Sequence, residues 1–103
     1  MTNTFYFCRL IPPRPSFAMD MNDEERALMQ QHAAYWRTKM DEGKVIAFGP
    51  VADPQGPWGL GILKLSGEAE LKEFSQGDPV IKAGIGFRLE SLPMMRAVVK
   101  DGT

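Results

Sequence analysis

Residues 44–65 read KVIAFGPVADPQGPWGLGILKL, and this stretch decides the fold. Lys44 to Ala52 is a β-favouring run interrupted by Gly49-Pro50. Proline within a strand points to a sheet edge or a bulge, and the glycine lets backbone or ligand come close. Asp53-Pro54-Gln55-Gly56 places Asp at the first turn position, Pro at the second and Gly at the fourth, the pattern of a type I turn. Trp58 to Leu65 then returns as the hairpin partner. A hairpin in the middle of a chain of 103 residues leaves one element pair to be placed on each side of it.

Upstream, Thr4 to Ile11 (TFYFCRLI) reads as a strand, ended by Pro12-Pro13-Arg14-Pro15, which cannot supply ladder donors. A loop runs on to about Met21. Asn22 has the form of an N-cap, with Glu25 three residues later completing a capping box and Asp23 and Glu24 favouring the positive helix end. The helix is expected to continue to about Glu42, where Gly43 stops it. Downstream, Ser66 or Gly67 opens a short helix to about Gln76, with Leu71 and Phe74 inward. Asp78-Pro79 opens a further helical turn that ends at Gly84, with Asp as cap and Pro at the first position. Ile85 to Leu92 is the last strand, with apolar Ile85, Phe87 and Leu89 on one face and Gly86, Arg88 and Glu90 on the other.

The order is β-α-β-β-α-β, an α+β chain of the ferredoxin-like type: a four-stranded antiparallel sheet with two main helices on one face. Residues 1–103 are read as a single domain. Two helices cover only one sheet face, yet Phe5-Tyr6-Phe7-Cys8 and Val45-Ile46-Ala47-Phe48 are continuously apolar, as in strands buried on both faces. A second copy of the same sheet is the simplest cover, so a homodimer is expected.

Composition excludes several classes of function. Thirteen acidic and twelve basic residues nearly cancel, and no basic run forms a stripe for nucleic acid or an anionic membrane. The single cysteine, Cys8, lies in an apolar strand beside no base, which favours a buried inert thiol. Met1-Thr2-Asn3-Thr4 lacks the features of a signal peptide, and no segment approaches a membrane span, so a cytoplasmic protein is expected. One His and one Cys do not suggest a metal site. No glycine-rich loop joins a strand to a helix, so no nucleotide cofactor is expected.

Chemistry is sought at His32, the only histidine. It shares one helical face with Leu28, Tyr35 and Trp36, where a purely structural helix would place an aliphatic residue. An imidazole exchanges protons near neutral pH and serves as general acid, base or ligand. A core histidine with satisfied ring nitrogens is the competing explanation. Trp36 reads as core or pocket wall. Arg88 is a candidate for substrate recognition, with neighbour pairing or an interface as rivals. Asp53 is explained by its turn. The loop at 12–21 is long for so small a domain and is a candidate lid or interaction segment.

Three blocks together resemble a known family: Gln31-His32-Ala33-Ala34-Tyr35-Trp36, Phe48-Gly49-Pro50-Val51-Ala52-Asp53-Pro54, and Gly77-Asp78-Pro79-Val80-Ile81-Lys82-Ala83-Gly84. With the opening strand and its proline loop, they are similar to the YCII-related proteins, small bacterial proteins of the dimeric α+β barrel type. The resemblance implies the same fold and a dimer. It also implies a histidine–aspartate dyad, here His32 and Asp78, and a pocket lined by the Gly49-Pro50 backbone. Some relatives act as lyases or dehalogenating enzymes on small ring compounds. The expected function is therefore general acid/base chemistry, of lyase, dehalogenase or hydrolase type, on a small ring-containing metabolite. The alternatives are a non-catalytic small-molecule-binding module, or a protein-interaction module acting through the proline loop or the Met94-Met95 tail.

Overall fold

The computed structural model describes residues 3–100; Met1 and Thr2, which open the segment read for a leader, lie outside it. In chain order the elements are β1 (Thr4–Ile11), α1 (Phe17–Asp20), α2 (Asp23–Asp41), β2 (Val45–Val51), β3 (Trp58–Leu65), α3 (Glu68–Gly77), α4 (Pro79–Lys82) and β4 (Arg88–Pro93). The four strands form one sheet in the order β2-β3-β1-β4, with every neighbouring pair antiparallel. This is the βαββαβ arrangement expected from the hairpin and its flanks, with one additional turn of helix, α1. None of the described helices is long and apolar enough to cross a membrane.

The local signals act as their chemistry requires. Asn22 accepts from the Glu25 N–H at 2.8 Å, and the Glu25 carboxylate accepts from the Asn22 N–H at 2.9 Å, which closes the capping box of α2. Gly43, with φ at 83°, follows the helix end. In the hairpin turn, the Gly56 N–H donates to the Asp53 carbonyl at 3.0 Å. The Asp53 side chain accepts from the Gln55 N–H and from Trp58 Nε1, which accounts for that residue without catalysis. β2 lies at the sheet edge, where a proline is tolerated within the strand; Pro50 stands opposite Gly59 of β3. The register shift in this strand falls between Val45 and Ala47, not at Gly49-Pro50.

Two expectations need correction. The segment after Pro15 is not loop throughout, because Ser16 to Asp20 closes one helical turn that buries Phe17. The last strand begins at Arg88 and not at Ile85. Gly84 and Gly86 take φ values of 65° and 109°, a left-handed geometry that turns the chain out of line with the sheet. Ile85 is consequently 37% exposed. Phe87 instead meets Phe17 edge to face, with ring centroids 5.0 Å apart.

Pairing register sorts the two sheet faces. Tyr6, Cys8 and Leu10 stand opposite Leu63, Gly61 and Gly59. On this face the buried core comprises Tyr6, Cys8, Val45, Leu63 and Leu65, together with Trp36 from α2 and Phe74 from α3. Trp36 and Phe74 pack edge to face at 4.9 Å. The alternate residues Phe5, Phe7, Arg9 and Ile11 point to the other face with Leu60, Ile62, Lys64, Arg88, Glu90 and Leu92. Most of these residues are only half-buried or exposed.

Candidate active site

The site is built where α2 crosses the junction of α3 and α4. Asp78 is the residue between those two helices, with extended backbone at φ −69° and ψ 125°. Pro79 cannot extend the preceding helix into the next one, so the chain turns here and aims the Asp78 side chain inward. One carboxylate oxygen, Oδ1, accepts from the Val80 N–H at 3.1 Å and so caps α4. Asp78 is 1% exposed.

A carboxylate taken so completely out of water costs several kcal/mol unless donors surround it. α2 supplies them. Trp36 Nε1 donates to Oδ2 at 2.7 Å. His32 Nδ1 lies 2.8 Å from Oδ2 and 3.0 Å from Oδ1. His32 and Trp36 are four residues apart and share one helical face, so both donors approach the carboxylate from the same side. Because indole and backbone N–H groups only donate, both carboxylate oxygens act as acceptors. An ionised Asp78 is matched by the His32 tautomer with its proton on Nδ1, which leaves Nε2 as the free ring nitrogen.

His32 also borders a cavity of about 380 Å³ between α2, the sheet and the segment 12–21. Its side chain is 12% exposed. Nε2 has no hydrogen-bond partner among the described residues, and it is not among the buried unpaired atoms. The cavity wall includes Trp36 and Ala33 from α2, Phe48, Gly49 and Pro50 from β2, Gly59 and Gly61 from β3, and Pro12, Phe17, Ala18 and Met21 from the segment above. Gly61 has a definite steric role. A Cβ there would overlap the Trp36 ring, at 2.5 Å from Cη2. Only glycine lets the indole lie on the strand and reach Asp78.

The residues singled out from sequence thus divide. His32, Trp36, Gly49 and Pro50 border one cavity, and Asp78 stands behind His32 in contact with it. Arg88 is not brought there. It lies on the opposite sheet face, 65% exposed, with its guanidinium 3.3 Å from Glu90, because strand alternation sends Leu89 to the cavity and its neighbours away. Cys8 is buried on the cavity side with Sγ 3.4 Å from Ser91 Oγ, and burial raises its thiol above the usual range.

Two features were missed from the sequence. The first is the Trp36–Asp78 hydrogen bond; the four-residue spacing of His32 and Trp36 was its only trace. The second is a clamp above the cavity made by Arg14. Its guanidinium donates to the Glu25 carboxylate twice at 2.8 Å and to Asp20 Oδ1 at 2.8 Å. It also lies 5.2 Å from the Phe17 ring centroid. The clamp ties the proline segment to the first turn of α2.

The family model described as YCII-related domain matches residues 5–95 of the chain. No curated protein matches it.

Proposed function

The chain belongs to the YCII-related family, and from that premise we propose that it is a small cofactor-independent enzyme in which His32 acts as general base and acid. In this reading Asp78 is the positioning residue. It holds the proton on Nδ1 and so keeps Nε2 free to take a proton from a substrate in the cavity. When Nε2 takes that proton, the imidazolium that forms lies against the Asp78 carboxylate. The same nitrogen then returns the proton to a leaving group or to the opposite end of the rearranged bond. In lyase or dehalogenase chemistry on a small ring-containing metabolite, Nε2 takes a C–H proton, the C–H electrons form a double bond and the leaving group, halide included, departs with the pair of the broken bond. In hydrolase chemistry Nε2 instead deprotonates a water as it attacks, and the proton goes to the group displaced. Trp36, Gly49 and Pro50 would hold the substrate against it.

The observation that carries the reading is the buried carboxylate 2.8 Å from Nδ1 of a cavity-wall histidine. A binding module without turnover would use the oriented imidazole only as a hydrogen-bonding group, and a pure interaction module has no use for the open cavity of about 380 Å³.

Proton exchange can be followed whatever the final product is. The protein is incubated with a panel of small ketones, lactones and halogenated ring compounds in deuterium oxide, and isotope uptake is read by mass spectrometry. Wild-type protein is expected to accelerate uptake in at least one compound. His32→Gln should lose roughly 10²–10⁴ of that rate while unfolding at a similar temperature. Equal uptake by the two proteins would reject the proposal.

The apolar side chains of the second sheet face support a homodimer in the same family setting. Phe5, Phe7, Ile11, Leu60 and Ile62 would be covered there by the equivalent face of a second copy.

A further inference from the structure

The cavity beside His32 has a chemical character more definite than its family setting. Of the described side chains that border it, none is Lys, Arg, Asp, Glu, Asn, Gln, Ser, Thr or Tyr. The polar tips that do reach the wall are already engaged: Trp36 Nε1 with Asp78, Trp58 Nε1 with Asp53, and Cys8 Sγ with Ser91. Among the described residues, His32 Nε2 is the one side-chain nitrogen of the wall left for a ligand. The nearby guanidinium of Arg14 is turned to Asp20 and Glu25, and that of Arg88 to Glu90 on the other sheet face.

We infer that this cavity admits uncharged, largely apolar molecules carrying one hydrogen-bond donor for His32, and turns away carboxylates and phosphates. An anion entering it would shed its hydration with no cation to receive it, a cost of several kcal/mol. The dyad gives no compensation. His32 and Asp78 sum to zero charge with the imidazole protonated, and to minus one with it neutral. A neutral molecule loses little on entry and gains about 25 cal/mol for each Å² of apolar surface removed from water. Its single donor meets the lone pair on Nε2. The volume of about 380 Å³ falls in the range of small-molecule pockets, about 300–1,000 Å³, which suits a molecule of one or two rings.

The inference rests on the cavity-side Nε2 used in the proposed function, but it concerns recognition and not turnover, so the two fail separately. The test compares hydrocinnamyl alcohol with hydrocinnamate at neutral pH, since they share a skeleton and differ in charge. Binding is followed by calorimetry and by tryptophan fluorescence. The alcohol is expected to bind about tenfold more tightly or better. Met21→Lys, which places an ammonium on the cavity wall, should narrow or reverse that preference, and Ala33→Phe should remove alcohol binding by filling the space. Hydrocinnamate binding to wild-type protein as tightly as the alcohol would overturn the inference, as would no alcohol binding at millimolar concentration. Alcohol binding untouched by both substitutions would also overturn it, because the ligand would then sit elsewhere. If hydrocinnamate were preferred while His32→Gln still abolished isotope uptake, the dyad would stand and the selectivity would fall.

Discussion

Asp78 serves two elements with one carboxylate. Oδ1 caps α4 through the Val80 N–H, and Oδ2 receives Trp36 and His32 from α2. The two tasks coexist because a carboxylate offers acceptor sites on both oxygens. An amide offers them on one, so Asp78→Asn must turn an N–H₂ group toward at least one donor. That mismatch, buried at 1% exposure, is expected to lower stability by about 1–3 kcal/mol, measurable by urea unfolding. It should also reduce any isotope uptake that His32 supports. If the Asp78→Asn protein proved as stable as wild type, the carboxylate would not be needed to join these elements. At this scale the sequence was partly legible. His32 stood out in an apolar stripe, and Asp78 showed itself as a cap before Pro79. Their pairing was implied by the family resemblance and not by spacing, since 46 residues separate them. Nothing local distinguishes an aspartate that only caps from one that also receives an indole.

The segment between β1 and α2 shows the same contrast for whole elements. The prolines announced the end of β1, and Asn22 with Glu25 announced the start of α2. Arg14 carried no local sign that it would bind both Asp20 and Glu25. Its hydrogen bonds to Glu25, followed by the Asn22 N–H, hold the Glu25 carboxyl down to about 2. Asp20 is lowered by the Ser16 hydroxyl and then by Arg14. A carboxyl whose folded value lies below its unfolded value stabilises the fold fully above the unfolded value, about 4.3 for glutamate. That contribution disappears as the pH falls toward about 2. The melting-temperature difference between wild type and Glu25→Gln should therefore be constant above about pH 5 and shrink steadily below it. A difference unchanged by acid would contradict the clamp. Because this segment roofs the cavity, hydrogen-exchange protection in residues 16–21, relative to the intrinsic rate at each pH, should fall over the same range. The late start of β4 belongs to this scale too. Alternating Ile85, Phe87 and Leu89 satisfied the strand pattern, but glycines at 84 and 86 in left-handed backbone broke the line.

For the whole molecule, the two faces of the sheet are not equivalent. One is closed by α2, α3 and α4, whereas the other leaves Phe5, Phe7, Leu60 and Ile62 half-buried and Leu92 at 65% exposure. Removing that apolar area from water is the driving force for the proposed dimer. Light scattering after size exclusion is expected to give twice the 11.5 kDa chain mass. Leu92→Lys should shift the protein to the single-chain mass with its helix content intact, because the side chain contributes little to the monomer core. A wild-type monomer at micromolar concentration would end the dimer reading. The order of elements, the hairpin, the caps and the two-sided apolar character of the strands were all written in the sequence. They depend on periodicity, on proline and glycine backbone limits and on neighbours a few residues apart. The tertiary structure alone decided which side chains meet across the fold: Trp36 with Asp78 through the space left by Gly61, and Arg14 with Glu25. Those contacts depend on how helices cross a twisted sheet, a property of packing in three dimensions that short-range pattern does not encode.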